Sequence, residues 1–367
     1  MRKSLIYVGL DVHKETIVVA RAIGKQRAEV VRKIPNDWVK LLKVLDGLGP
    51  KERLRVCYEA GPTGYDLARR LSGTGICCMV VAPSLIPVQA GRRVKTDRRD
   101  ARRLAELLRA GELVEVKIPE RETEAMRDLE RARDDAKNAE RAARQQLDKF
   151  LLRQGRIWSN GTKWTNRHWN WIERQEFAAE AQRRVLADYI RAVKEATARI
   201  ERLEKDIEEL VESWTLAPLV RALQALRGVG LLTAVILAAE IGDYARFRTP
   251  RELMGYLGMV PSEDSSGQRR HQGRITRTGN GHVRRILVEA GWNYRFRPRA
   301  SKAIRQRRDK VSATVREIAE KAEERLCRRY QALVARGKES RKAVMAVARE
   351  LAGFVWAIAR EVKSPAA

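Results

Sequence analysis

Five short apolar runs crowd the start of the chain, and their spacing restricts its fold more than any other feature. LIYVGL (5–10), TIVVA (16–20) and AEVVRKI (28–34) are separated by brief polar breaks, and RLRVCYE (53–59) and ICCMVVA (76–82) follow at wider intervals. Such runs, rich in β-branched residues and bounded by turn formers, read as strands. Residues 37–48 have a helical pattern that stops at Gly49-Pro50, and Gly61-Pro62 leads into a second helix near 64–72. The run 76–82 is apolar throughout, which predicts a central strand covered on both faces. A Leu-, Ala- and Arg-rich helix over 97–110 ends at Gly111. Three strands in succession, then helix and strand in alternation, predict a mixed-sheet α/β layer domain over residues 1–115.

The pattern then changes. Ala125, Leu129, Ala132, Ala136, Ala139 and Ala143 recur at alternating spacings of four and three, and Ile200, Leu203, Ile207, Leu210 and Trp214 repeat the pattern. In otherwise charged stretches this predicts two long helices in a coiled-coil hairpin, with a coiled coil between two chains as the rival, so residues 116–217 read as a linker. Between the helices lies RIWSNGTKWTNRHWNW (156–171), with Trp158, Trp164, Trp169 and Trp171 interleaved with Arg156, Lys163, Arg167 and His168. Such aromatic faces beside cations suit stacking on unpaired bases; equally, the indoles of a hairpin tip pack on each other or on a partner subunit.

Residues 218–367 read as a mainly helical domain. Its LRGVGLLTAVILAAEIG segment has the form of a helix-hairpin-helix, a motif whose backbone N–H groups hold a phosphate, or of a plain helical hairpin. A polar Ser/Gly/Arg loop is expected over 258–281, shaped by Gly273, Gly279 and Asn280. Helices follow, with basic clusters at Arg295-Phe296-Arg297 and at Arg305 to Arg308. Arg284 and Arg285 read either as phosphate contacts or as a solvated helix face.

Charge narrows the partners. Lys and Arg number 75 against 47 Asp and Glu, a net +28 spread through segments that also carry regular apolar patterns. A folded binder of polyanions is expected, with binding that weakens steeply in salt. Asp11 interrupts the first apolar run too early for a secretory signal, and no apolar run is long enough to cross a bilayer, so a soluble, cytoplasmic protein is expected. The cysteines Cys57, Cys77, Cys78 and Cys327 include no CxxC pair, which argues for buried structural thiols over zinc or a disulfide framework.

Acids at element ends are the first chemical candidates. Asp11 ends the first strand run, Glu59 ends the fourth, and Asp97 and Asp100 lie three apart at a helix start, on one helical face. A lone acid is ordinarily a solvated surface group, and His13, beside Asp11, is more simply a surface residue than a ligand. Four converging carboxylates repel unless cations neutralise them, and two Mg²⁺ ions suit that role in phosphoryl transfer. The second candidate is Ser266, with Ser265 as fallback. Both precede Gly267, and Arg269, Arg270 and Arg274 follow. Arginines beside a serine can hold a scissile phosphate, although Ser-Ser-Gly by itself is more commonly a flexible loop.

YVGLDVHKETIVVA, CYEAGPTGYDLARRL and KTDRRDARRLAELLRAGEL resemble the three motifs of the DEDD-type insertion-sequence transposases, the insertion-sequence family numbered one hundred and ten, which includes Piv-like DNA invertases. LMGYLGMVPSEDSSGQRRHQGRITRTGNGHVRRILVEAGW resembles that family's second conserved domain. The resemblance covers both ends of the chain and leaves the tryptophan-rich insert without a counterpart. It implies an RNase H-like (RuvC-like) first domain, a metal-binding tetrad of Asp11, Glu59, Asp97 and Asp100, and Ser266 as a nucleophile that forms a phosphoserine link to DNA. It also implies donor and target DNA as substrates and a structured noncoding bridge RNA as guide. A homo-oligomer, dimer or tetramer, is expected because recombination cuts four strands of two duplexes. A structure-specific nuclease with the same metal site and no covalent step is the alternative. A non-enzymatic architectural binder explains the charge but not the placed acids. A sugar-kinase or actin-like ATPase also has a first strand that ends in Gly-x-Asp, but this sequence offers no convincing second phosphate loop for that reading.

Overall fold

A computed structural model describes residues 4–87, 96–266 and 269–362. The chain divides into two compact units, Met1–Pro119 and Glu120–Ala367.

In the first unit, β1 (Ile6–Val12), β2 (Thr16–Ile23) and β3 (Glu29–Pro35) form an antiparallel meander. After α1 (Trp38–Asp46), β4 (Leu54–Glu59) pairs in parallel with β1. After α2 (Asp66–Gly73), β5 (Cys77–Val81) pairs in parallel with β4. The sheet order is β3-β2-β1-β4-β5, a mixed α/β domain consistent with a DEDD nuclease-like fold. Leu41, Leu45, Ala68 and Leu71, from α1 and α2, cover one face with Val8, Leu10, Val56 and Tyr58. The third helix, α3 (Asp97–Ala110), covers the other face through Ala101, Leu104 and Ala105.

The fifth strand is not central. It is the last of the five, and its exposed side is bridged by the chain that follows α3: Val116 N–H donates to the Val80 carbonyl at 2.7 Å, and Val81 bridges Glu115. Its C-terminal residues Val80 and Val81 are buried on opposite faces and its edge is covered, a combination that mimics a central strand in one dimension. Cys77 on the same strand is exposed and Cys78 half-buried, so only Cys57 and Cys327 are buried thiols.

In the second unit two long helices, α4 (Arg121–Arg153) and α6 (Glu180–Val211), run antiparallel. Contacts descend one helix as they climb the other: Glu122 accepts from Thr215, Arg133 pairs with Glu204, Thr197 donates to Glu140, and Gln182 donates to Gln154. The buried Leu186, Val193, Ile200 and Ile207, with Trp214 beyond the helix end, fall seven residues apart, the period at which one stripe keeps facing a partner helix. The facing stripe keeps only part of the expected row, and Leu129 and Ala132 of it are half-buried. Ala136 and Ala143 are buried, but Ala125 and Ala139 are exposed, as is Leu210. Phe150 continues the row of Ala136 and Ala143, while Met126, Glu140 and Leu147 are buried on the stripe one position along from Ala125 and Ala139, because large side chains gain more from burial than alanine does.

Around α5 (Asn166–Glu173) the four tryptophans of the insert pack on one another and on His168. Trp158 lies 5.1 Å from the His168 ring, Trp171 stacks on it at 5.7 Å, and Trp164 meets Trp169 at 5.7 Å. His168 is 1% exposed and its Nδ1 accepts the Trp164 N–H. The indoles thus form a small core of their own with Phe150, Ile172 and Phe177.

The rest is helical apart from one ribbon: α7 (Ala217–Leu223), α8 (Leu231–Ile241), α9 (Pro250–Tyr256), then β6 (Pro261–Ser266) and β7 (Arg269–Ile275), then α10 (Gly281–Gly291), α11 (Lys302–Arg308), α12 (Ala313–Ala335) and α13 (Ser340–Glu361). Met126, Ile207 and Trp214 join the core that these helices share, so the root of the α4–α6 pair belongs to the same unit. A buried polar network reinforces it: Arg131 holds Glu240, Asn280 donates to Glu240 at 2.6 Å, and His282 meets Glu130 at 2.9 Å. No described helix is long and apolar enough to cross a membrane.

Arg308 belongs to a basic cluster in sequence but not on the surface. It is 5% exposed and donates to Glu323 at 2.8 Å, while Arg227 reaches the same carboxylate at 3.1 Å. Removing one member of a buried ion group strands the rest without compensation. Arg308→Ala should therefore cost about 3–5 kcal/mol of stability. The exposed Arg305→Ala should leave the melting temperature unchanged and flatten the salt dependence of DNA binding by about one unit of slope. Thermal unfolding and salt-titrated binding of both variants check this.

Candidate active site

Asp11 lies near the end of β1 and Glu59 ends β4, each one residue past the registered Leu10–Tyr58 pair. Side chains alternate along a strand, so both acids continue the face marked by Gly9 and Cys57. That face carries α3: Cys57 Sγ donates to the Leu104 carbonyl at 3.6 Å. Asp97 and Asp100 are in the first turn of the same helix. Strand ends and helix start thus bring the sequence-predicted acids to one end of one face.

Gly9 makes that approach possible. A Cβ there would sit 2.2 Å from the Ala101 carbonyl oxygen and 2.5 Å from the Ala105 nitrogen. Both are backbone atoms, so the helix itself would have to move. A glycine inside a strand is the available sequence signal for such close backbone approach. Gly9→Ala should destabilise the first unit by roughly 3 kcal/mol and displace Asp97 and Asp100 from Asp11. A lowered melting temperature together with lost activity, against a surface control such as Gly73→Ala, where an added Cβ meets nothing within 4 Å, is the expected result.

The geometry draws two of the four acids tightly together and adds a histidine. Ligand atoms of Asp11, His13 and Asp97 lie within 4.8 Å of one another; Glu59 and Asp100 stand outside that group. His13 Nε2 is 3.2 Å from Asp11 Oδ2 and 3.8 Å from Asp97 Oδ1, so His13 is part of the cluster and not an isolated surface residue. Lys33 on β3 donates to Asp97 at 3.2 Å. Burial raises the Asp11 carboxyl above its ordinary range; His13 partly offsets this, and the charges of Asp97 and Asp100 add to it. The hydrogen bond from Lys33 holds Asp97 below its ordinary range. Glu59 is exposed. A half-buried carboxylate repelled by two more offers oxygen donors that suit a hard divalent cation, with the His13 imidazole placed to hydrogen-bond to Asp11. The residues therefore fit the metal that DEDD nuclease domains typically use.

Ser266 closes β6. Where a loop was expected over 258–281 there is a two-stranded ribbon, with Ser266 opposite Arg269 and Ser265 opposite Arg270. The strands read PSEDSS and RRHQGRI, without the apolar alternation that marks a half-buried strand. Ser266 and Arg274 are exposed. Gly267 lies outside the described residues, as do the side chains of Ser265, Arg269 and Arg270.

The base of this ribbon is pinned. A Cβ on Gly258 (φ +61°) would lie 2.2 Å from the Thr278 carbonyl, and one on Gly279 (φ +71°) 1.9 Å from the Tyr256 carbonyl, so two backbones cross where only glycine fits. Arg284 donates to the carbonyls of Leu257 (2.7 Å), Thr278 (3.0 Å) and Arg277 (3.2 Å). Asn280 caps α10. Arg284 is therefore a backbone clamp and not a free phosphate contact, while Arg285 pairs with Asp134 at 2.7 Å and Glu289 at 3.0 Å. Their internal role was invisible in sequence, where both look like ordinary surface cations.

Similarity in sequence to known proteins extends along nearly the whole chain. Residues 220–305 match the model of the transposase IS116/IS110/IS902 family, and residues 8–154 match a DEDD-type transposase model. A Sinorhizobium fredii protein bearing the name of a transposase is 46% identical over 97% of this chain and 89% of its own length. The transposase for insertion sequence element IS1533 of Leptospira borgpetersenii is 34% identical over 92% of this chain and 99% of its own.

Proposed function

Since the chain belongs to the IS116/IS110/IS902 family of insertion-sequence transposases, we propose that it is a site-directed DNA recombinase that cuts and rejoins strands through a covalent phosphoserine. The observation that carries this reading is the clustering of Asp11, His13 and Asp97 at one end of the sheet, in a chain that also presents an exposed Ser266 on a pinned ribbon.

In this reading Ser266 Oγ attacks the phosphorus of a phosphodiester, the Oγ–P bond forms, the P–O3′ bond breaks, and the serine proton passes to a carboxylate or water. The departing 3′-oxygen takes up a proton. A 3′-hydroxyl from the exchanging strand then attacks the phosphoserine and restores the free serine. One ester replaces another at each step, so rejoining needs no nucleotide cofactor and leaves no hydrolysed end. Mg²⁺ held by Asp11 and Asp97, with Glu59 and Asp100 completing a two-ion set, would supply Lewis-acid stabilisation of the phosphoryl oxygens. Arg274 and the basic residues of the ribbon would orient the phosphate.

The reading extends to donor and target DNA, a structured bridge RNA as guide, a dimer or tetramer holding two duplexes, and action at the prokaryotic nucleoid. The +28 charge supports polyanion binding, and the family relation supports the rest. The seven-residue burial period supports reading α4 and α6 as an antiparallel coiled coil. The deciding experiment incubates the protein with Mg²⁺ and labelled element DNA, with and without the element's noncoding RNA. An adduct that survives denaturation is the expected result. Free nicked DNA without adduct would make the protein a structure-specific nuclease, and binding without either would make it an architectural protein.

A further inference from the structure

The turn between α10 and α11 presents Arg295, Phe296, Arg297 and Arg299, all exposed. Tyr294 is fully buried, whereas the Phe296 ring is 54% exposed. A phenyl ring left in water forgoes the burial a core position provides. The Arg295 guanidinium lies 4.5 Å from the centre of the exposed Phe296 ring and 5.9 Å from that of Trp292, within cation–π reach of both. Between residues 295 and 310 six Lys or Arg are exposed, Arg295, Arg297, Arg299, Lys302, Arg305 and Lys310, against one exposed acid, Asp309.

The loop's backbone is fixed from within. Arg227 donates to the Arg297 carbonyl at 3.0 Å and to Glu323 at 3.1 Å. The Arg299 N–H donates to Glu323 at 3.0 Å, and Arg308 takes the other carboxylate oxygen at 2.8 Å. Glu323 is 4% exposed. The buried ion group sets the loop's conformation, and Phe296 is presented outward from that rigid base.

We infer that this loop is a binding site for an unpaired nucleotide of DNA, with the base stacked on Phe296 and the flanking phosphates held by Arg297, Arg299 and Lys302. Every base has a π-face, and stacking on an aromatic side chain is sequence-tolerant. In an intact duplex those faces are covered by neighbouring pairs, so an exposed ring serves only where a base is unstacked, as strand exchange requires. The excess of cations over acids favours a polyanion over an apolar protein partner. The inference rests on the family's action on DNA and not on the serine or metal chemistry.

The test measures binding of the full chain to a labelled single-stranded DNA, the matching duplex and the matching single-stranded RNA. Phe296→Ala should weaken single-strand DNA binding about tenfold and duplex binding less than about twofold, and Phe296→Trp should restore it. The salt dependence should be unchanged in both, whereas Arg297→Ala and Arg299→Ala should weaken all DNA binding and flatten it. A 2-aminopurine base in the single strand should be quenched by the wild type and not by Phe296→Ala. Wild-type affinity and quenching in Phe296→Ala, or full rescue by Phe296→Leu, would overturn stacking. A loss confined to the RNA would overturn the DNA assignment. A fall in melting temperature that Phe296→Trp does not rescue would make the ring structural.

Discussion

Ser266→Ala should abolish the covalent adduct and recombination, by on the order of 10⁴-fold or more as expected for loss of a nucleophile, while leaving DNA affinity and melting temperature near those of the wild type. The serine is exposed at the end of β6, so its hydroxyl contributes little to packing. The ribbon's base is held by Arg284, Gly258 and Gly279, which the substitution does not touch. Mass spectrometry of a trapped wild-type adduct should place the nucleotide on the peptide containing Ser266; placement on Ser265 would move the nucleophile one residue along the strand. Ser266→Cys should retain weak, slow chemistry, since sulfur is nucleophilic but prefers softer centres. Adduct formation at the normal rate in Ser266→Ala would remove this serine from the mechanism.

Asp11→Asn should separate stability from activity. Burial and the nearby Asp97 and Asp100 raise the Asp11 carboxyl, so in the folded protein it holds its proton more readily than in the unfolded chain. The sign follows: above its ordinary range the ionised form costs the fold stability, and this cost fades as pH falls through the raised value. The amide removes the charge, so at neutral pH the melting temperature of Asp11→Asn should equal or exceed that of the wild type. Strand transfer should fall by about a thousandfold, the scale expected when one electrostatic stabiliser is lost from a phosphoryl-transfer site. Added Mg²⁺ should raise the melting temperature of the wild type and not of the variant. Full activity in Asp11→Asn, or an equal Mg²⁺ effect in both proteins, would take Asp11 out of the metal site.

Much of the first unit was legible in one dimension because its signals are local. Strand-length apolar runs between turn formers placed β1 to β5 and α1 to α3 within a few residues. Acids at strand ends and at a helix start identified where a charged cluster could form. Motif order then pointed to the family that the comparisons show. What failed depends on who the neighbours are. An apolar run has the same composition in a central strand and in an edge strand that later chain covers, and only Val116 and Glu115 alongside β5 distinguish the two. A row of alanines has helical period whichever stripe faces the partner, and the burial of Met126 and Leu147, with Ala125 and Ala139 exposed, sets which stripe does. The serine ribbon carries no apolar alternation, since its strands are polar and its order comes from the glycine crossing and the Arg284 clamp.

Arginine shows the division most sharply. Arg284, Arg297 and Arg308 are chemically identical in sequence and all lie in the basic C-terminal portion. Tertiary structure makes Arg284 a clamp on three carbonyls, buries Arg308 against Glu323, and leaves Arg297 exposed beside Phe296. The sequence by itself determined the net charge, the periodicities and the order of the acids, because these are properties of the covalent chain. Only the fold decided which charges meet water and which meet a carboxylate, because desolvation and pairing depend on distances between residues far apart along that chain.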